Sequence, residues 1–149
     1  MLLNKHGSFY IRNGWPTKII NAINEDRMVF SPNNELEAVD TIGVGRVMVK
    51  AMRYWASAMG LATEEKTSQG VACNLTNLGK MLLQHDPFCQ DKGSLWLLHR
   101  NLSNNEEQAT AWYWAFNVYN SKSFSKDDFC SAFYSYIQRA GGNYQKPAV

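Results

Sequence analysis

One segment, residues 46–59, carries basic side chains at a spacing that could hold a polyanion. Arg46, Lys50 and Arg53 recur every three or four residues, and Ser57 follows at the same spacing. At about 100° per residue in an α-helix, these four side chains share one narrow face, which we call the basic stripe. The segment contains no Asp or Glu. Guanidinium and ammonium groups bind phosphate oxygens, and arginine also reads guanine edges, so the pattern predicts a DNA-contacting helix.

The opposite side of this helix is apolar and is expected to pack inward. It consists of Met48, Ala51, Met52, Trp55 and Met59. A helix with one apolar and one cationic face is most often an ordinary solvated helix, and that alternative stays open. A glycine turn before the segment and a hairpin expected after it favour a recognition helix instead.

Two further helices are expected before the basic stripe. Pro16 suits the first turn of one helix, and Ser31-Pro32 is a typical start for the next. Gly43-Val44-Gly45 then forms a tight turn into the third helix, which ends at Gly60. Two helices joined by such a turn, the second carrying the cations, predict a helix-turn-helix.

A small β-hairpin is expected after the third helix. Residues 62–68 and 70–74 are polar, Thr-rich and separated by one residue. This hairpin would form a wing that carries Lys66 towards the DNA backbone. We therefore predict a mainly α fold, with a winged helix-turn-helix domain over residues 1–75. An additional helical region over residues 76–149 would pack on it or continue the same domain.

Four helices are expected in this C-terminal region. The first ends before Asp86-Pro87, the next covers residues 94–101, an aromatic helix covers 106–118, and Ser125 caps the last. The group Trp96, Trp112 and Trp114 superficially resembles a base-stacking platform, but its helical spacing favours core packing.

Composition limits the class of protein. The chain has 149 residues, 45% of them hydrophobic and 13% aromatic, which fits one globular domain. The formal net charge is only +2, so any nucleic-acid site must be a local one. No apolar run is long enough for a membrane span, and no signal peptide is visible, so we expect a cytoplasmic protein that contacts no membrane. Widely spaced cysteines (Cys73, Cys89 and Cys130) fit a reducing compartment.

Catalytic motifs are not apparent. The sequence lacks HExxH, GxSxG and Walker patterns, and its three histidines are isolated. His85, Asp86 and Asp91 could suggest a metal site, although a polar turn is the simpler interpretation. We predict no cofactor and no metal ligand, with Mg²⁺ needed only if the protein nicks DNA.

Near the start of the chain, Lys5 and Arg12 flank Phe9 and Tyr10 and form either a basic arm or ordinary surface. The predicted DNA-binding set is therefore Arg46, Lys50, Arg53, Ser57, Lys5, Arg12 and Lys66.

Four phrases of the sequence resemble the bacterial family of unknown function numbered 4007. They are GSFYIRNGWPTKI at residues 7–19, GVGRVMVKAMRYWASAMGL at 43–61, LTNLGKMLL at 75–83 and DPFCQDKGSLWLLH at 86–99. The resemblance implies a component of DNA sulfur-modification systems, which place phosphorothioates in DNA as an antiviral defence. It also implies double-stranded DNA and other sulfur-modification proteins as partners.

The resemblance connects the family with DNA nicking, but it transfers no catalytic residue. The chain departs from the family pattern at Gly7, Val47 and Gln90. Family members are longer, so we expect this sequence to correspond to their N-terminal part. Two alternatives to a plain DNA-binding domain stay open. One is a metal-dependent nickase subunit, and the other is a protein-interaction or dimerisation module that forms a homodimer.

Overall fold

The computed structural model of the chain describes residues 6–141. This range is mainly α-helical, with one small antiparallel sheet of two strands. The described residues form two compact units, one reaching to Asn101 and the other starting at Leu102. The expected division between residues 75 and 76 stays a prediction.

The helices and strands follow one another with short connections. In chain order they are α1 (Trp15–Glu25), a 3₁₀ turn (Pro32–Asn34), α2 (Glu35–Ile42), α3 (Arg46–Ala58), β1 (Ala62–Thr67), β2 (Gly70–Leu75), α4 (Asn77–His85), α5 (Lys92–Ser103), α6 (Thr110–Asn117) and α7 (Lys126–Arg139).

The core of the first unit is built around α1 and α3. Pro16 lies in the first turn of α1, as its missing N–H allows, and the side chains of Ile19 and Ile20 are completely buried. On α3, Met52 and Trp55 are buried as well. Burying each such side chain contributes about 1.5–3 kcal/mol to folding, so this packing fixes which side of α3 faces outward.

A short glycine turn sets the entry into α3. Gly43 ends α2 with a φ of 69°, in the left-handed region that favours glycine. The Lys18 ammonium group donates to the Ile42 carbonyl oxygen at 2.8 Å, so α1 supplies a partner for the C-terminal end of α2. The predicted order of three helices with a glycine turn before the third is confirmed.

The hairpin predicted after α3 is also present. β1 and β2 pair in antiparallel fashion, with Ala62 opposite Leu75 and Thr67 opposite Gly70. The backbone N–H of Cys73 donates to the Arg27 carbonyl at 2.7 Å, which joins β2 to the segment after α1.

α4 and the part of α5 up to Asn101 complete the first unit. The Thr76 hydroxyl accepts from the Gly79 N–H at 3.1 Å and caps α4. The side-chain amide of Asn101, on α5, donates to the Met59 carbonyl at 2.9 Å, and this bond anchors α5 to the end of α3.

The second unit contains α6 and α7. Trp114, Phe133 and Ile137 form its buried core. Ser125 and Asp128 form a reciprocal capping box at the start of α7.

Core packing was predicted for three tryptophans, and it is wrong for one of them. Trp114 is buried and Trp112 is half-buried, but Trp96 is 68% exposed. The reason is that α5 buries its other side, where Ser94, Leu98 and Leu102 lie. Helical spacing shows that a helix has two sides, but it does not show which apolar residues the fold covers.

Candidate nucleic-acid interface

The outward side of α3 carries the basic stripe. The side chains of Arg46 and Lys50 are 62% and 67% exposed. Ser57, one of the predicted contacts, is half-buried. The inward side differs slightly from the expected set, because Val49 is buried whereas Met48 is only half-buried.

One carboxylate from α2 binds both exposed cations of the stripe. Glu35 Oε2 accepts from the Arg46 guanidinium at 2.8 Å, and Glu35 Oε1 lies 3.1 Å from the Lys50 ammonium. The Glu35 side chain itself is only 13% exposed. The hydrogen bonds from Arg46 and then Lys50 lower the pKa of Glu35, and the same carboxylate raises the pKa of Arg46. Two positive charges share one negative charge, so these three side chains together carry one net positive charge.

Arg53, the third cation of the stripe, makes a different contact. Its Nε and terminal nitrogen bond the two oxygens of Glu64 at 2.7 Å and 2.6 Å. This two-pronged geometry is the strong form of an arginine–carboxylate pair. The Arg53 side chain is only 25% exposed, and its pKa is raised chiefly by the hydrogen bond to Glu64. Arg53 therefore links α3 to β1. Because Glu64 neutralises its charge, it contributes little to the attraction of an anionic ligand.

Sequence reasoning missed both carboxylates. No Asp or Glu lies along α3 itself, whereas Glu35 and Glu64 come from the elements before and after it. Each carboxylate lies eleven residues from an arginine that it binds. Two acids in the first turn of α2, next to a short turn, were the signal available for Glu35.

The hairpin brings acidic as well as basic groups to this surface. Successive residues of a strand point to opposite faces, so Glu64 reaches α3 while Glu65 points away. Glu65 accepts from Arg27 at 3.2 Å and from the Asn74 amide at 3.0 Å. Lys66, the predicted hairpin contact, is exposed.

The predicted basic arm lies partly outside the described residues. Nothing is described for Lys5, whereas Arg12 is exposed and lies over the Phe9 ring at 5.8 Å. The Phe9 carbonyl accepts from the Trp55 indole N–H at 2.9 Å, and the His6 ring stacks on the Trp55 ring at 5.3 Å. The described part of the arm is thus attached to α3.

Two of the residues considered for a metal site, Asp86 and Asp91, stabilise a turn. The Asp86 carboxylate accepts from the N–H groups of Gln90 and Asp91, each at 3.0 Å. A hydrogen bond with the Ser94 side chain is the first cause of the lowered pKa of Asp86. Asp91 accepts from the Gly93 N–H at 2.6 Å. Across residues 6–141, no group of three His, Cys, Asp or Glu residues is arranged to hold a metal ion.

These features define a mainly α-helical protein with a two-stranded hairpin next to a helix with cations on its outer side. The chain belongs to the DUF4007 family, described as a protein of unknown function, whose family model matches residues 3–148. The resemblance drawn from its sequence phrases is thereby confirmed. No curated protein matches the chain.

Two solved structures are similar to this chain. They are a magnesium ion-bound SspB crystal structure, with a TM-score of 0.81, and an SspB crystal structure, with a TM-score of 0.79. Both are 26% identical in sequence and cover 98% of this chain. The match takes up 45% and 46% of those chains, so this chain spans less than half of their length. Among the helices of the described residues, none combines the length and apolar character that a membrane span needs.

Proposed function

We propose that this chain contains a DNA-binding winged-helix domain of a bacterial DNA phosphorothioate-modification protein that acts in antiviral defence in the cytoplasm. One observation carries the proposal: Arg46 and Lys50 are exposed side by side on α3 with one carboxylate between them. The remaining positive charge lies on the helix that a winged helix inserts into the major groove.

The order of elements supports the winged-helix assignment. Three helices precede a hairpin, and a glycine turn joins the second helix to the third. In such domains the third helix enters the major groove while the hairpin contacts the neighbouring backbone. Lys66 on the hairpin and Arg12 beside α3 would add phosphate contacts, as would Lys5, and Ser57 would donate a hydrogen bond.

The defence-system assignment rests on family membership and on similarity to SspB. We therefore propose other DNA sulfur-modification proteins as partners of the whole protein. Co-purification with those proteins, before and after nuclease treatment, would separate direct binding from bridging by DNA.

The test is duplex binding by fluorescence anisotropy across a salt series. Each lost phosphate contact flattens the log–log salt slope by about 0.9 units, so Arg46→Ala with Lys50→Ala should flatten it by about 1.8. Lys122→Ala with Lys126→Ala removes the same charge from exposed sites in the second unit and serves as the control. An unchanged affinity and slope in the α3 variant would refute the proposal.

Nicking is a second candidate function, because one of the similar SspB structures holds magnesium. Conversion of supercoiled plasmid to the open circle in Mg²⁺ or Mn²⁺, blocked by a chelator, would support it. If the plasmid stays supercoiled with both metals, nicking is excluded and duplex binding is the only activity that remains proposed.

A further inference from the structure

A second helix of the first unit has a cationic outer side with an aromatic centre. Lys92, Trp96 and Arg100 follow one another at intervals of four residues on α5. At about 100° per residue they fall within an arc of about 80°, and we call them the α5 face. All three are exposed. α5 contains no Asp or Glu between its first and last residues.

The α5 face is held in place from the other side of the helix. Ser94 and Leu98 are buried there, and Asn101 bonds the Met59 carbonyl at the end of α3. Asp86 bonds the Ser94 side chain near the start of α5. A large indole ring is thus presented to solvent by a helix that is anchored at both ends.

Further exposed apolar side chains precede this tryptophan in the sequence. Leu95 is half-exposed, and Phe88 in the preceding loop is 68% exposed. The His99 ring meets the Trp96 ring edge-on, with 5.5 Å between centroids. Contiguous exposed apolar surface rimmed by polar groups is typical of binding sites, which makes this side of α5 a candidate.

We propose that the α5 face binds single-stranded nucleic acid, with Trp96 stacking on an unpaired base and Lys92 and Arg100 holding the flanking phosphates. The cations on both sides of the ring favour a polyanion over a purely apolar partner. Every base has a π-face that can stack on an aromatic ring, so such a surface needs no particular sequence. Bases inside a duplex are already stacked and cannot reach Trp96, which makes a single strand the ligand that fits.

This surface goes beyond the duplex contact proposed for α3, and the two are separable by experiment. The first probe is a labelled oligo-dT at about 50 mM salt, and the second is a labelled duplex. Trp96→Ala should weaken oligo-dT binding about tenfold, the effect of losing one stacked base. The same variant should leave duplex affinity within about twofold of the wild type. Arg46→Ala with Lys50→Ala should instead weaken duplex binding and leave oligo-dT affinity within about twofold.

Two replacements at position 96 separate stacking from simple apolar contact. Trp96→Phe should keep most of the oligo-dT affinity, and Trp96→Leu should lose as much as the alanine variant. Lys92→Ala with Arg100→Ala should flatten the salt slope by about 1.4 units, at about 0.7 per contact on single strands. Leu97→Ala removes an exposed apolar side chain of the same helix outside the α5 face. As the control, it should change neither the oligo-dT affinity nor its salt slope.

Three results would overturn the proposal. They are a wild-type protein that does not bind oligo-dT at low salt, a Trp96→Ala variant with wild-type affinity, and a Trp96→Leu variant that binds like the wild type. The last result would mean that the oligo-dT affinity comes from apolar contact or charge and not from stacking on the ring. A wild-type protein that binds oligo-dT but not the duplex would count against the α3 contact and leave the α5 face unaffected.

Discussion

Two helices of the first unit, α3 and α5, carry cations on their outer side and no acid of their own, yet they present different surfaces. On α3, carboxylates from neighbouring elements bind all three arginine and lysine side chains of the basic stripe. On α5, the cations flank an exposed tryptophan. Charge spacing along one helix therefore gives only half of an electrostatic surface. The other half is supplied by whatever the fold packs beside it.

This difference affects how each surface would meet an anion. A phosphate that approaches Arg46 competes with a carboxylate already 2.8 Å away. A nucleotide that approaches Trp96 meets an aromatic ring whose stacking needs no charge to be displaced. Binding at α3 should therefore depend on its neighbouring acids, and binding at α5 should depend on the shape of one side chain.

The largest expected effect is a loss of folding stability when the buried tryptophan of α3 is replaced, in contrast to the exposed tryptophan of α5. Trp55 of α3 is buried in the core and bonds the Phe9 carbonyl, so Trp55→Ala should destabilise the protein by about 3–5 kcal/mol. Trp96→Ala removes an exposed ring and should change stability by less than about 0.5 kcal/mol. Chemical denaturation of both variants measures the difference. Equal losses in the free energy of unfolding would show that Trp96 is packed as deeply as Trp55.

The next effect concerns the carboxylate shared by Arg46 and Lys50. Glu35→Gln keeps the size of the side chain but frees both cations, so duplex affinity should rise about threefold at low salt and less at high salt. Glu37→Gln is the matched control, because it removes the same charge from α2 at an exposed position. Anisotropy titrations at two salt concentrations compare the variants.

An equal rise in both variants would mean that net charge, rather than the shared carboxylate, controls affinity. Weaker binding by Glu35→Gln would mean that Glu35 orients the two cations for the ligand. Either result would contradict the claim that the neighbouring carboxylate weakens anion binding at α3.

A smaller effect is expected at the link between α3 and the hairpin. Glu64→Gln removes the partner of Arg53 and should lower stability by less than about 1 kcal/mol, because the pair is partly exposed. Glu25→Gln removes the same charge from an exposed position of α1 and serves as the control. Thermal unfolding measures stability, and duplex titration shows whether the freed Arg53 adds affinity. A gain as large as that of Glu35→Gln would assign Arg53 to the contact surface.

Much of the first unit could be predicted because its signals are local. Pro16 and Thr76 mark helix starts, Gly43 ends a helix, and Gly70 begins the second strand of the hairpin. Each of these acts through its own backbone geometry or through neighbours within a turn. The orientation of α3 followed from the period of its apolar residues.

The candidate site could be predicted only in part, because its electrostatics are not local. The contacts of Glu35 and Glu64 depend on how α2 and β1 pack against α3. The exposure of Trp96 depends on which side of an apolar helix the rest of the unit covers. Neither is encoded in a spacing that can be read along one element.

The smallest expected effect is on the pH dependence of stability, and it tests whether Glu35 is bound in solution as it is in the structure. The cations lower the pKa of Glu35 from its ordinary value of 4.5. A carboxyl with a lowered folded pKa contributes stability above its unfolded pKa and loses it as the pH falls through the folded pKa. Melting temperatures of the wild type and Glu35→Gln should therefore differ at pH 7 and converge below pH 4.5. A constant difference between pH 7 and pH 3 would show that the carboxylate is not held by the cations, and the contrast between α3 and α5 would then lose its basis.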